Sequence, residues 1–392
     1  MTSLDLLASK LRQLRYRTSD RYELVLHDRL RPEERARFQE LNHDPSHWGV
    51  LRPRGDGTYR AVDRDTALLL FSLSERGPLP AYVVDQLEEG TARAVHAMVL
   101  DGILDAETVD GKPVRMLAGD DESALSLDSC SLTALRYGAA LDLDDARDLS
   151  IRLYLYGGEP LRRDLCDRLA TRRDVSRFLE LESGGANRRR IGSGWRLDDR
   201  PDKGWIYVRR NSTESAASPS SVRGRCKLYV GCRCAETPRV LGAVLTCLSS
   251  SSARSMKVGG SAADLVRADK IVVYFDAFES LQSYAAELSE LMEDLELSDD
   301  PSGVPFTASA GGDGRLSWGA DPPEEAIPLK NTFATSWRAW VAARLAGALV
   351  ATRTPGLADE EWRLRAVLAR VGLDGIDVAR WAPTTQLWRD AT

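Results

Sequence analysis

The chain has 392 residues, 43% of them hydrophobic, and a formal net charge of −6, length enough for two or three domains with cores of their own. No apolar run approaches a bilayer span, and the opening "MTSLDLLASKLRQLRYR" lacks the apolar block and small-residue cleavage site of a secretory signal, so a globular, cytoplasmic protein with no membrane partner is expected. Six cysteines do not make a disulfide scaffold at this length; Cys226, Cys232 and Cys234 have the even spacing of one strand face, no Cys/His pair follows at a zinc-site distance, and buried small residues rather than a metal site are expected.

Residues 63–117 carry the pattern of a winged helix. "DRDTALLLFSLSE" puts Leu68, Leu69, Phe71 and Leu73 on a helix capped by Asp63 or Asp65. "PLPAYVVDQLEE" and "TARAVHAMVLDG" predict two more, the last ended by Gly102, with His96 a packing or surface histidine. "ILDAETVDGKPVRML" then has a D-G turn between two short strand-like runs, the expected wing. Residues 60–116 hold six Arg/Lys against ten Asp/Glu, the wrong sign for neutralising phosphates, so nucleic acid is not an expected partner and a transcriptional regulator is disfavoured. The exposed edge of such a hairpin can instead accept an extended peptide as an added strand. In this the module resembles the PqqD-like recognition elements that hold leader peptides; a structural domain with no ligand is the plain alternative.

Residues 120–182 read as helices, one ending at Gly157 and Gly158 and another resuming after Pro160, expected to pack rather than to do chemistry. Beyond them the charge changes sign. Residues 183–275 hold 17 Arg/Lys against 7 Asp/Glu, a local surplus of cations in an acidic chain, and such a field is usually aimed at an anion. "GWIYVRR" and "RCKLYVGC" predict strands separated by the Ser/Pro-rich "NSTESAASPSSVRG". On the second, Lys227 and Tyr229 share a face. "ETPRVLGAVLTCLSSS" predicts a helix, after which a Gly-flanked loop carries Lys257 and leads to the apolar strand in "LVRADKIVVYFD". Two strands joined by a helix can lie side by side, which would bring Lys227, Tyr229, Lys257 and Arg267 to one cleft around an anion.

No G-x-x-x-x-G-K-[ST], G-x-G-x-x-G, G-x-S-x-G or H-E-x-x-H occurs, and all four histidines (His27, His43, His47, His96) fall in the first hundred residues, so the rest of the chain cannot use imidazole as acid, base or ligand. The blocks "CKLYVG", "MKVGG", "LVRADKIVVYF", "GVPFTA", "LSWGADPP" and "NTFATSWRAWVAARLAGAL", with "AN" at Ala186 and Asn187 and "GW" at Gly194 and Trp195, stand in the order and spacing of the HopA-type effector family, which the chain resembles over roughly residues 150–350. That family includes a type III secretion effector and lyase subunits of class V lanthipeptide and thioamitide biosynthesis. The resemblance, joined to the patterns read above, gives an expected α+β chain: an N-terminal winged-helix module (1–118), a helical connector (119–182), a HopA-like lyase domain of mixed sheet and helix (183–356) and a helical tail (357–392). It also implies elimination of phosphate from phosphoserine or phosphothreonine of a precursor peptide, leaving dehydroalanine or dehydrobutyrine. Since no residue pattern here can hold ATP phosphates, a partner kinase is implied.

A second resemblance supplies roles. Lys227-x-Tyr229, Lys257 and Arg267 look like the Lys-x-His, catalytic lysine and phosphate-binding arginine of phosphothreonine lyases, with Tyr229 standing where those enzymes have histidine. It implies Lys257 as the base for the α-proton, Tyr229 as the acid, Arg267 and Lys227 as phosphate ligands, and no cofactor; beside these, Arg254 and Arg338 are further phosphate-ligand candidates, and Tyr274 and Asp269 candidates for lining the pocket. A lysine serves as base only where burial and neighbouring cations lower its pKa. Each residue has a plainer alternative: a surface lysine for Lys257, an ion pair with Asp269 for Arg267, sheet aromatics for Tyr229 and Tyr274, a helix-surface arginine for Arg338. A non-catalytic scaffold binding leader peptide and kinase is the alternative for the whole.

Overall fold

Short runs in which apolar residues alternate with polar ones, separated by helical stretches, fold here as an α+β protein. The computed structural model describes residues 3–38, 46–55, 59–87, 89–111, 114, 129–199, 204–211, 226–298, 303–311, 314–322, 336–353 and 360–384. The N-terminal part opens with strands β1 (Arg15–Thr18), β2 (Tyr22–Leu26), β3 (His47–Pro53) and β4 (Arg60–Asp63). β2, β3 and β4 form an antiparallel sheet in that order, an element not expected from the sequence. Helices Arg64–Ser72, Ala81–Asp85 and Glu89–Leu100 follow, then β5 (Leu104–Glu107). Asp63 caps the first, its carboxylate accepting from the Thr66 amide at 2.7 Å. That helix buries Ala67, Leu69 and Leu70, with Leu73 just past its end. Leu68 and Phe71 face outward because they lie across the helix axis from that stripe.

The expected wing is met in part. β5 pairs antiparallel with β1, and the Val114 amide donates to the Ala106 carbonyl at 3.0 Å across the Asp110-Gly111 turn. Except for Val114, residues 112–117 of the expected return strand lie outside the described residues. β5 is therefore flanked on one side by β1, and the outer edge of the expected hairpin lies outside the described residues.

The main sheet contains β6 (Trp195–Asp198), β7 (Trp205–Arg210), β8 (Cys226–Val230), β9 (Ser255–Gly259), β10 (Ile271–Phe275), β11 (Ala308–Ser309) and β12 (Leu316–Ala320). Its order is β11-β12-β8-β10-β9-β7-β6 with every neighbouring pair antiparallel. One expectation is corrected: Lys257 lies on a strand, not a loop, since Met256 and Val258 are apolar residues two apart that a sheet face can bury. The two strands expected side by side, β8 and β10, are neighbours, and β9 flanks β10 on its other side. One sheet face, with Leu228, Val230, Met256, Val258, Ile271, Val273 and Phe275, is sealed by helices Thr237–Ser250 and Phe278–Glu293.

A second core joins helices Ser129–Ala140, Ala146–Leu155, Trp337–Ala351 and Glu360–Leu373. The expected helix after Pro160 is two, Arg163–Arg168 and Arg172–Phe178, the second restarted by the Thr171/Asp174 capping box. The N-terminal part docks on this helical layer. Asp101 receives Arg370 at 2.6 and 3.1 Å and Arg60 at 2.7 Å, and Arg21 donates to the carbonyls of Ala351 and Arg353 at 2.8 and 3.1 Å.

Candidate active site

Because side chains alternate across a strand, the sheet face opposite the core is set by register. Tyr207, Lys257, Val272, Tyr229 and Ser317 form one row across β7, β9, β10, β8 and β12. Tyr274 and Lys227 stand opposite each other in the next row. Lys227 and Tyr229 thus share a face, as their spacing predicted, and Lys257 joins it from β9, on the far side of β10. Two glycines permit the close packing around this face. A Cβ on Gly259 would lie 2.8 Å from the Asp264 backbone, and one on Gly319, opposite Lys227, would lie 2.3 Å from the Trp337 ring.

Above the face, cations and aromatic rings alternate. Lys257 Nζ lies 4.0 Å from the Trp205 ring centre, with Arg267 5.3 Å from the same ring. Arg267 and Arg338 each stand 5.0 Å from the Tyr154 ring. The quadrupole of each ring favours the neighbouring cations without neutralising them. Asp269 ties two of the cations together: its carboxylate takes Arg267 at 2.9 and 3.1 Å in a fork, Arg338 Nη1 at 2.8 Å and the Tyr154 hydroxyl at 3.3 Å. Burial pushes the Asp269 carboxyl upward, but Arg338 and Arg267 outweigh it and hold the group well below the usual carboxylate range. For Arg267, burial works against the charge and Asp269 more than restores it.

Lys257 is the base candidate by environment. Burial lowers its pKa, Asp269 opposes that, and Lys227 and Arg267 lower it further, to about 8. About a tenth of its amine is therefore unprotonated at pH 7, against well under a hundredth for an ordinary lysine. Tyr229 is 3% exposed and packs with Ala268, Val272, Val304 and Tyr274. Burial, with a smaller contribution from Asp321, raises its phenol well above 10, so it stays protonated and acts as a hydrogen-bond donor more readily than as a free acid. Tyr274 is raised for the same first reason and faces Lys227, whose Nζ is 5.5 Å from its ring.

Of the residues expected here, Lys227, Tyr229, Lys257, Arg267, Asp269, Tyr274 and Arg338 gather at one place. Arg338 is not on a helix surface: its side chain is 2% exposed, paired with Asp269 and donating to the Tyr154 carbonyl at 2.8 Å. Arg254 does not belong to the group. Its side chain is half exposed, one residue before β9, with Asp276 at 3.8 Å. Lys227 is engaged by Asp321 at 2.5 Å, a partner the sequence reading did not name. Tyr154 and Trp205 were missed as well. Tyr154 comes from residues expected only to pack, and Trp205 from the first position of β7.

Further supports are structural. Arg172 donates to the carbonyls of Gly260 and Trp205, each at 2.9 Å, and pairs with Asp199, bracing the strand ends beside Lys257. Buried Lys270 pairs with Glu159 at 3.1 Å and donates to the Cys232 carbonyl. Asn187, within the "AN" block, bonds the carbonyls of Leu179 and Pro238 at 2.9 and 2.8 Å. Cys226, Cys232 and Cys234 are buried and form no disulfide with one another; Cys226 lies within β8 and the other two follow it. Among the described residues no group of three or more His, Cys, Asp or Glu could hold a metal ion, and no helix is long and apolar enough to cross a membrane.

No family model and no curated protein matches the chain. Among solved structures it is similar to an effector protein from Pseudomonas syringae pv. syringae strain 61, at 15% identity and a TM-score of 0.39 over 65% of this chain and 97% of that one. An effector protein from Pseudomonas syringae pv. tomato strain DC3000 gives 14% identity and a TM-score of 0.40 over 67% and 99%. A phosphothreonine lyase effector protein of Chromobacterium violaceum gives 12% identity and a TM-score of 0.27 over 36% and 75%.

Proposed function

We propose that the protein is a lyase that eliminates phosphate from phosphoserine or phosphothreonine in a peptide. The carrying observation is Lys257, a half-buried lysine lowered to about 8 on the same sheet face as Lys227 and Tyr229 and beside Arg267. A lysine so placed is a base next to a site for an anion, and β-elimination needs those two things together. Lys257 Nζ takes the α-proton, the C–H electrons form the Cα–Cβ double bond, and the Cβ–O bond breaks with its electrons going to the phosphate. Arg267 and Lys227 stabilise the charge that builds on the leaving group, and the Tyr229 hydroxyl donates to the leaving oxygen. Arg338, held by Asp269 and the Tyr154 carbonyl, positions Asp269 and through it Arg267.

In the finer reading, supported by the sequence blocks of the HopA-type family, the substrate is a precursor peptide of ribosomal peptide maturation in the cytoplasm. Its phosphate is installed by a partner kinase, and residues 1–118, in their helical part a winged-helix module, hold its leader. Incubating a phosphopeptide with the protein and recording its mass tests the reading. Loss of phosphoric acid is the expected result; tight binding with unchanged mass is the result of a scaffold that only docks a phosphorylated partner.

A further inference from the structure

Two carboxylates face the cations of the site, and they are held very differently. Asp269 is fixed by the forked bond from Arg267, by Arg338 and by the Tyr154 hydroxyl, all around a side chain that is 5% exposed. Asp321 follows β12, in which Gly319 lies opposite Lys227. Its Oδ1 sits 2.5 Å from Lys227 Nζ and, among the described residues, otherwise accepts a long 3.3 Å bond from the Trp337 amide, at the start of helix Trp337–Ala351. The first carboxylate is built in. The second is held mainly by the cation that an incoming phosphate would use.

Asp321 also lies on the side of the site where the leaving group would stand, since it pairs with Lys227, which shares its sheet face with Tyr229 and stands opposite Tyr274. An anion bound by Lys227 and Tyr229 would meet it at close range, and like charges at such a distance repel strongly away from bulk water. Either the carboxylate yields Lys227 or the anion is held loosely.

Resting on the lyase reading, we propose that Asp321 is an internal counter-anion that Lys227 exchanges for the phosphate group of the substrate and reclaims when inorganic phosphate leaves. The exchange keeps the ammonium of Lys227 in place between turnovers. It also weakens the hold on the product, so that the cations needed in the transition state do not trap the phosphate they help to expel.

The test is titration of inorganic phosphate into the intact protein, its Asp321→Asn and Asp321→Ala variants, and Lys227→Ala. Competition between carboxylate and phosphate requires Asp321→Asn to bind phosphate about tenfold tighter than the unaltered protein, Asp321→Ala to do the same, and phosphate to become the stronger product inhibitor in both. Lys227→Ala should bind it more weakly. If phosphate binds the unaltered protein and both Asp321 variants bind it equally or less well, Asp321 merely orients Lys227 and the exchange is refuted while the anion site stands. Binding to none of the four proteins would overturn the site reading and the exchange with it.

Discussion

The Lys257 ammonium lies 4.0 Å from the centre of the Trp205 ring. Burial disfavours the charge on that nitrogen and the ring face favours it, so the lysine is left between its two states near neutral pH.

The rate of elimination should therefore rise with pH through an apparent pKa of about 8 and level off above it. Below that pH Lys257 is protonated and cannot accept the α-proton. Its folded-state pKa lies below the unfolded value, so the unfolded chain binds more protons between about 8 and about 10.4, and this group's contribution to stability increases as pH rises through that window. A pH–rate profile of kcat/KM that is flat from pH 6 to 9 would exclude Lys257 as the base.

Asp269→Ala should cost about 3–5 kcal/mol of stability, because it strips the shared anion from two buried guanidiniums. Urea unfolding is the measurement, read as a lower midpoint at unchanged slope. A loss under about 1 kcal/mol would mean that water already screens the cluster.

Arg267→Ala should weaken phosphopeptide binding roughly ten- to a hundredfold, the value of a charge-assisted contact to phosphate. Arg254→Ala should change binding by less than about twofold, since its half-exposed side chain lies 3.8 Å from Asp276 and away from the cluster. Calorimetric titration of both variants with one phosphopeptide checks the pair. Equal losses would return Arg254 to the site.

Tyr229→Phe keeps the buried ring and removes only the hydroxyl. Turnover should fall about tenfold or more with binding nearly unchanged, because the donated hydrogen bond strengthens as charge builds on the leaving oxygen. Full activity in this variant would assign the donor role to Lys227 or to water.

The strand residues of the site were legible in the sequence because alternation on a strand is a local rule. "CKLYVG" puts Lys227 and Tyr229 on one face whatever the neighbouring strand is. The order of strands was not legible, since nothing local in "KLYVG" or "MKVGG" says that β10 comes between them. Tyr154, Trp205 and Asp321 were invisible for a related reason. Each reaches the site through contacts distant in sequence, as when Tyr154 meets Asp269, and each looks locally like an ordinary helix, strand or loop residue. Arg338 was a candidate from the start, but its burial could have been read as well. It sits in "TSWRAWVAARLAGAL", a helix apolar nearly all round, and an arginine within such a helix is buried and must find an anion. Leu68 and Phe71 show the opposite limit, where an apolar run is long enough to fit more than one helical stripe.

The most direct test is a comparison of the unaltered protein with Lys257→Ala, both confirmed as folded by circular dichroism, on one phosphothreonine peptide, recording elimination by mass and affinity by titration. Lys257→Ala should abolish elimination and bind the phosphopeptide nearly as well, because the proton is taken only in the transition state while the phosphate is held before it. Near-normal elimination by Lys257→Ala would contradict the assignment of the base and with it the proposed mechanism.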